Sequence, residues 1–236
     1  MNIMISKNYL VKVCGMRDAD NIREVEQLFT VPLGFAAWLV QESSLFTPLM
    51  GFIFWPKSSR YVSQVPEYLP EKCKRVGVFV DASIGDVMTI AEQYQLDFIQ
   101  LHGQESPSYI TQLRPHLSLL NSKISIIKAL NIATTADLAN AKQYEGIVDY
   151  LLFDTKGKSV GGNGEKFDWS VLRSYTGTTP FLLSGGIGPD DAPLVKAVVE
   201  DLQSSFIGID LNSKFEISPA LKDVKKLQKF LNELSI

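Results

Sequence analysis

Hydrophobic residues recur along this chain in short continuous runs that are separated by polar stretches, glycines and prolines. The runs cover residues 9–13, 51–55, 76–80, 98–103, 124–130, 149–154, 180–187 and 205–211. A strand that is apolar on both faces is buried on both faces, as in a parallel sheet covered by helices. The pattern therefore predicts eight strands of a mostly parallel sheet.

Between these runs, apolar residues follow the spacing of an amphipathic helix. Asp18 or Asp20 can cap the first helix, and Ser106 with Pro107 opens another, because proline fits a first turn. The predicted helices lie at residues 18–29, 63–69, 86–94, from 106 onward, 134–144, 190–201 and 220–234. The helix at 63–69 is weak, since it contains Pro66.

Eight strand–helix units in a chain of 236 residues predict a closed (β/α)8 barrel, or TIM barrel, that forms a single domain over residues 1–236. The alternative is an open doubly wound sheet. The first strand is not followed by the G-x-G-x-x-G fingerprint of dinucleotide-binding folds, which counts against that alternative.

One segment, residues 30–49, does not fit the regular alternation. It is rich in aromatic and aliphatic side chains but broken by Pro32, Gly34 and Pro48, and we predict a short helix over residues 35–42. It follows the first helix and so belongs to the stability face of a barrel. It either packs back over the bottom of the barrel, which we favour, or forms a subunit contact. Both a monomer and a homodimer are compatible with the sequence.

Composition narrows the possible partners and location. The net charge is -3, with 23 basic and 26 acidic residues, so nucleic acid is a poor candidate partner. The two cysteines lie far apart and show no metal-binding spacing, so no metal site is expected. The longest apolar stretch is too short to span a bilayer, and no secretory signal pattern begins the chain. We therefore expect a cytoplasmic protein with no membrane association.

Active sites of this fold lie at the carboxyl ends of the strands. The loops after the last two strands supply free backbone N–H groups and are the usual phosphate site, so Gly185, Gly186, Asn212 and Ser213 are candidate phosphate ligands. Asp210 stands beside them at the end of the eighth strand. The expected partner is a small phosphorylated molecule.

Two candidate catalytic groups stand at the same end of the barrel. Cys14 follows the first strand, and Asp154 ends the sixth, before a glycine-rich loop at residues 156–164. Together they would supply an acid and a base for proton transfer on a phosphorylated sugar. Each has an ordinary structural alternative, a buried core cysteine and a turn aspartate. Arg60 is a candidate carboxylate clamp, since its planar fork pairs bidentately, or else a member of a surface ion pair.

The motifs VKVCGM, GFIFWPKSSRYV, VGVFVD, FIQLHG, LLFDT with GGNGEKFDW, and LLSGGI occur in this order along nearly the whole chain. This set resembles the phosphoribosylanthranilate isomerase family. The resemblance implies a (β/α)8 barrel that performs, without a cofactor, an Amadori rearrangement in tryptophan biosynthesis. It also implies that Asp154 is the general acid, Cys14 the general base and Arg60 the ligand of the anthranilate carboxylate. Gly186 and the residues after the eighth strand would hold the phosphate, and Asp210 matches a family aspartate near the substrate, which makes it a further substrate-binding candidate.

The sequence departs from the family pattern at Lys214, where many members have glycine, which questions the backbone shape of the last loop. Two rival functions remain open. One is a related isomerase of histidine biosynthesis, which commonly carries an aspartate at the position of Cys14. The other is a barrel that has lost catalysis and acts as a binding protein, although such a protein would not need Cys14, Asp154 and Arg60 together.

Overall fold

The computed structural model describes residues 9–30, 46–155, 169–202 and 205–234. Eight parallel strands form a closed barrel in the order β1-β2-β3-β4-β5-β6-β7-β8. β1 pairs with β2 on one side and with β8 on the other, which closes the sheet. The predicted (β/α)8 barrel is confirmed, and the open doubly wound sheet is wrong. That residues 1–236 form one domain stays a prediction.

The strands of the barrel are β1 Tyr9–Cys14, β2 Phe46–Ile53, β3 Lys74–Phe79, β4 Phe98–Leu101, β5 Ser125–Ile132, β6 Tyr150–Thr155, β7 Phe181–Ser184 and β8 Phe206–Leu211. A small antiparallel hairpin follows, with β9 Glu216–Ser218 and β10 Leu221–Lys222. The α-helices are α1 Ala19–Thr30, α2 Ile84–Gln93, α3 Pro107–Leu120, α4 Ala192–Asp201 and α5 Val224–Leu234. Single 3-10 segments cover Thr135–Tyr144, Trp169–Ser174 and Ser213–Phe215.

Side chains alternate between two hydrophobic layers, as the pleat of a strand requires. One set fills the barrel interior and the other packs between the sheet and the surrounding helices. The interior set consists of Leu10, Leu49, Val76, Phe98, Ile127, Ala129, Leu152 and Leu182. Because side chains two residues further along a strand point the same way, Lys12 and Cys14 lie above Leu10, and Asp154 lies above Leu152, toward the carboxyl end of the barrel.

The second strand begins earlier than predicted. β2 spans Phe46–Ile53 rather than residues 51–55, so the last part of the predicted extra segment belongs to the barrel. Pro48 is tolerated there although it cannot donate a hydrogen bond to the ladder. Thr47 and Pro48 interrupt the apolar run and so concealed the start of the strand. The remainder of the segment, residues 31–45, and the predicted helix at 35–42 lie outside the described residues.

Three helix predictions need correction. Residues 63–69 form no helix, because the loop containing them is held against α1 by Glu26, which accepts hydrogen bonds from the Tyr68 hydroxyl, the Lys72 N–H and the Cys73 N–H. Residues 135–144 are a 3-10 rather than an α-helix. The last helix begins at Val224 instead of residue 220, since Ala220 has a φ of 67°, which no right-handed helix accommodates.

The starts of α1, α3 and α4 lie at or within two residues of the predicted helix starts. Asp18 rather than Asp20 caps α1, because its Oδ1 accepts a hydrogen bond from the Asn21 N–H at 2.8 Å. Ser106 caps α3 through the Tyr109 N–H at 3.2 Å, with Pro107 in the first turn as predicted. The helix predicted from residue 190 begins at Ala192, since Asp191 instead accepts a hydrogen bond from the Gly188 N–H.

Candidate active site

Cys14 is the last residue of β1 and is 3% exposed. Its neighbour across the sheet is Gly51, and a Cβ atom at Gly51 would lie 2.9 Å from the Cys14 Sγ. The bare Cα of Gly51 therefore makes the room that the thiol occupies. Burial raises the pKa of the Cys14 thiol, and Lys12 and Lys222 lower it by less than burial raises it. The net result is a thiol pKa above its usual value.

A buried ion pair lies directly beneath the thiol, between adjacent strands. Lys12 of β1 and Asp210 of β8 are register partners, and the Lys12 Nζ lies 2.9 Å from the Asp210 Oδ1. The other carboxylate oxygen of Asp210 accepts a hydrogen bond from the Ser184 hydroxyl at 3.1 Å. Burial lowers the pKa of Lys12, but Asp210 and Cys14 raise it by more, so Lys12 remains an ammonium. Asp210, the further substrate-binding candidate, thus has a structural partner of its own.

Asp154 lies near the end of β6, with its side chain 17% exposed. β1 and β6 are three strands apart around the closed barrel, so Cys14 and Asp154 approach the mouth from different sides. The His102 Nε2 lies 3.4 Å from the Asp154 Oδ2, and the His102 Nδ1 faces the Gln100 Nε2 at 3.0 Å. His102 therefore contacts both Gln100 and Asp154.

Arg60 lies in the loop after β2 and pairs with Glu216 of β9. Its Nε lies 2.8 Å from the Glu216 Oε1, and its Nη2 lies 2.5 Å from the Oε2, so one edge of the guanidinium fork is occupied. Its Nη1 makes no hydrogen bond with any described residue. Glu216 also accepts from the Lys222 Nζ at 2.7 Å. Burial raises the pKa of Glu216, but Arg60 and Lys222 together hold it below its usual range.

The cluster of Arg60, Glu216 and Lys222 contacts the residue that follows Cys14. Gly15 has a φ of +80°, and a Cβ there would lie 2.7 Å from the Arg60 Cδ and 3.0 Å from the Asn212 Oδ1. A larger residue would therefore be strained and would also push Arg60 away. The Lys222 Nζ donates to the same Asn212 oxygen at 2.9 Å. The rim thus carries two cations, Arg60 and Lys222, for the single carboxylate of Glu216.

The candidate phosphate loops follow the neighbouring strands β7 and β8. Gly185 and Gly186 have φ values of 91° and 72°, which favour glycine and turn the backbone sharply after β7. Asn212 and Ser213 follow β8, and Ser213–Phe215 form a single 3-10 turn. Lys214 is exposed within that turn and is not among the residues with positive φ, so the loop does not require glycine at this position.

The structure places each predicted site residue at the carboxyl end of the barrel. Cys14, Asp210 and Asn212 meet around β1 and β8, whereas Asp154 stands apart with His102. Glycines 157, 161, 162 and 164 of the glycine-rich loop lie outside the described residues. Within the ranges that the structure describes, no group of three His, Cys, Asp or Glu side chains is arranged to hold a metal ion.

Three charged residues of this site were given no role from the sequence: Lys12, Glu216 and Lys222. The available signal was the position of Lys12 two residues before Cys14, which places both side chains on one face of the strand. Glu216 and Lys222 are far from Arg60 in sequence, and only the hairpin brings them to it.

A closed barrel with a thiol and a carboxylate at its mouth, beside glycine-rich loops after β7 and β8, defines the class of barrel enzymes that act on phosphorylated small molecules. Residues 40–233 match the family model described as N-(5'phosphoribosyl)anthranilate (PRA) isomerase. The chain belongs to this family, and the family prediction from sequence is confirmed.

Relatives and solved structures agree with this membership. A protein of Phocaeicola vulgatus named N-(5'-phosphoribosyl)anthranilate isomerase is 43% identical, and the match covers 95% of this chain and 97% of the relative. A relative of the same name from Parabacteroides distasonis is also 43% identical, covering 95% of this chain and 93% of its own length. The crystal structure of phosphoribosyl anthranilate isomerase from Thermotoga maritima is 27% identical, with a TM-score of 0.70, and the match covers 96% of this chain and 98% of that one.

Proposed function

We propose that this chain catalyses the Amadori rearrangement of N-(5-phosphoribosyl)anthranilate to 1-(2-carboxyphenylamino)-1-deoxyribulose 5-phosphate. The isomerase function in tryptophan biosynthesis, predicted from the sequence, is confirmed by the family match and by relatives of that name. A structure of the family, 25% identical to this chain, is a complex with the reduced product analogue. The observation that carries the chemistry is that Cys14 and Asp154 stand at the carboxyl ends of strands of one closed barrel.

Asp154 is the proposed general acid. An aldose amine must gain a proton on the ring oxygen before the ring opens to a Schiff base. The Asp154 carboxyl group is partly exposed and reaches the barrel mouth, where a substrate oxygen can meet it. The His102 Nε2 lies 3.4 Å from the Asp154 Oδ2, so the two side chains are neighbours at the barrel mouth. An acid positioned in this way contributes roughly 10²–10⁴-fold to the rate.

Cys14 is the proposed general base, which removes the proton from C2 of the opened sugar. The electrons of that C–H bond then form the enolamine, which tautomerises to the ketone. Only the thiolate can accept the proton, and a thiol with a pKa near ~8.5 is mostly protonated at neutral pH. The buried position of Cys14 makes this requirement more demanding, since its pKa is raised.

Charged and glycine-rich elements of the rim hold the two anionic ends of the substrate. The Nη1 side of Arg60, which is not occupied by Glu216, is proposed to bind the anthranilate carboxylate. Backbone N–H groups of Gly185 and Gly186, with Asn212 and Ser213, are proposed to bind the phosphate. The left-handed backbone at Gly185 and Gly186 supports this assignment, because successive N–H groups in such turns form anion-binding concavities.

Complementation tests the activity directly. A tryptophan auxotroph that lacks this isomerase should grow without tryptophan when it expresses the chain, and should not grow when Asp154 is replaced by Asn. A parallel histidine auxotroph lacking the related isomerase should stay auxotrophic. Growth of the histidine strain alone would favour the rival isomerase, and growth of neither strain with soluble protein present would favour a non-catalytic barrel.

We propose that the protein acts in the cytoplasm, as a monomer or homodimer. Its substrate is a charged, phosphorylated metabolite, which does not cross a membrane unaided and is made and used in that compartment. No helix among the described residues is long and apolar enough to cross a membrane. One structural relative, 25% identical, consists of monomers generated from the dimeric phosphoribosylanthranilate isomerase of Thermotoga maritima.

A further inference from the structure

Lys12 is a fully buried charge that the reaction scheme above does not use. It is 0% exposed, in a strand whose other interior side chains are Leu10 and Cys14. Burying an ammonium and a carboxylate together is costly, and a hydrophobic pair of similar size is often at least as stable. The Lys12–Asp210 pair is therefore poorly explained by stability alone, and its position suggests a role in the chemistry.

Geometry links Lys12 to the Cys14 thiol. The two side chains leave the same face of β1, and both extend over Gly51 on the neighbouring strand. A Cβ at Gly51 would lie 2.9 Å from the Cys14 Sγ and 3.0 Å from the Lys12 Cε. The Cys14 Sγ and the Lys12 Cε are therefore about 6 Å apart at most, and the charged Nζ is one bond beyond that carbon. A side-chain hydrogen bond between Lys12 and Cys14 also lowers the pKa of the thiol. Unlike charges that are this close favour each other's ionised forms.

The charged groups around Cys14 come from several elements. Lys12 lies on β1, Asp210 on β8 and Lys222 on β10, and the Arg60 guanidinium with its partner Glu216 closes the rim. β2 contributes only Gly51 at this level. Burial has the largest effect on the thiol pKa and raises it. Among the charged residues, Lys12 has the largest effect and lowers the thiol pKa. Asp210 raises the pKa, and Lys222 lowers it by less than Lys12 does.

We propose that Lys12 is a positioning residue for the reaction, whose ammonium stabilises the thiolate of Cys14 and so makes it available as a base. Asp210 and Ser184 hold the ammonium in place beneath the thiol. This inference rests on the proposed role of Cys14. Lys12 itself lies below the thiol inside the barrel and touches no substrate in this scheme.

The alkylation rate of Cys14 by iodoacetamide reports the thiolate fraction directly. The experiment uses the full chain with Cys73→Ala, so that Cys14 is the single thiol, and compares it with Lys12→Met in the same background. The rate of both proteins should rise with pH, and Lys12→Met should react about tenfold or more slowly at each pH between about 7 and 9, since loss of a nearby cation raises a thiol pKa by about 1 to 3 units.

The sign of the change separates electrostatics from a merely structural role. A barrel weakened by the loss of Lys12 would open more often, and its buried thiol would react faster rather than more slowly. Lys128→Met is the matched control, because Lys128 is also buried and its Nζ also lies 2.9 Å from a carboxylate, that of Glu105 on the opposite side of the barrel. It should not slow the alkylation of Cys14.

Turnover gives a second readout. Lys12→Met should lower kcat more than it changes KM at neutral pH, and the loss of kcat should shrink as the pH rises and the thiolate recovers.

If the single variant does not fold, the double variant Lys12→Met with Asp210→Asn removes both buried charges. The Cys14 thiol of this double variant should still react more slowly with iodoacetamide than that of the wild type. Alkylation that is unchanged or faster in the folded variants would overturn the inference. Normal turnover in Cys14→Ser would instead refute the base assignment, whatever the alkylation result.

Discussion

Replacing Arg60 by alanine is expected to weaken substrate binding while leaving the fold and the chemical step nearly intact. The guanidinium binds Glu216 through its Nε and Nη2 atoms, and its Nη1 makes no hydrogen bond with a described residue. Glu216 keeps its second partner in the variant, because the Lys222 Nζ lies 2.7 Å from it. The carboxylate of Glu216 is therefore not left buried without a counter-charge, which is the usual cause of large destabilisation.

The size of the effect follows from the hydrogen bonds that are lost. A hydrogen bond to a charged group contributes roughly 1.5–3 kcal/mol, and about 1.4 kcal/mol corresponds to a tenfold change in affinity. KM should therefore rise about 10- to 100-fold. Because the same contact exists before and during the reaction, kcat should change little.

Steady-state kinetics on the purified protein measure this effect, with the natural substrate compared with an analogue that lacks the anthranilate carboxylate. In the wild type the analogue should bind about 10- to 100-fold more weakly, and in Arg60→Ala the two substrates should become nearly equal. Arg17→Ala is a suitable control, since the exposed Arg17 contacts the backbone oxygens of Ser59 and Tyr61 in the same loop without an ion pair.

The clamp assignment would be refuted if the wild type did not discriminate against the analogue. It would also be refuted if Arg17→Ala raised KM as much as Arg60→Ala, because the effect would then come from disturbance of the loop rather than from loss of the guanidinium.

Three further predictions concern stability, phosphate binding and assembly. Arg60 and Lys222 hold the pKa of Glu216 below its unfolded value, so Glu216 stabilises the fold at neutral pH, and this contribution is lost as the pH falls through the lowered pKa. Chemical denaturation of Glu216→Gln should therefore show a smaller loss of stability on acidification than the wild type does. An identical pH dependence of the two proteins would contradict the assignment. Lys214→Ala should raise KM less than tenfold at low salt and not at all at high salt, because an exposed charge is screened; a salt-independent effect would argue for a direct phosphate contact. Shortening residues 31–45 should lower the thermal midpoint without stopping the reaction, and sedimentation of a dimer that becomes a monomer would show that the segment is a subunit contact instead.

The barrel could be predicted from the sequence because its strands are buried on both faces. Continuous apolar runs such as Leu151–Phe153 and Leu182–Leu183 leave few alternatives to a parallel sheet covered by helices. The N-terminal part of β2 escaped prediction, since Thr47 and Pro48 interrupt its apolar run and proline normally argues against an interior strand. Tertiary pairing with β1 decides its extent, and that information is not local.

The hairpin of β9 and β10 shows a different limit. Leu221 and Val224 fit the spacing of the last helix, so the sequence extended that helix back to residue 220. The backbone at Ala220 takes a positive φ instead, which lets the hairpin turn and bring Glu216 and Lys222 to Arg60. Non-glycine residues rarely adopt this conformation, and composition alone gives no sign of it.

Candidate residues at the strand ends could be identified because the fold fixes where catalysis occurs. Cys14, Asp154 and Arg60 all lie at the carboxyl end of the barrel, as the order of strands requires. Their partners depend on pairs distant in sequence, such as Lys12 with Asp210 and Arg60 with Glu216. Such pairs determine pKa values and orientation, and they become neighbours only when the barrel closes and the hairpin of β9 and β10 folds.

The central claim, that one acid and one base at the barrel mouth carry out the isomerisation, is tested most directly by turnover of Asp154→Asn and Cys14→Ser with the natural substrate. Each amide or hydroxyl replacement keeps the shape of the side chain but removes its proton-transfer ability, so each variant should fold, should bind the product with near-normal affinity, and should lose about 10²–10⁴-fold or more in kcat. A folded variant of either kind with near-normal kcat would contradict the account.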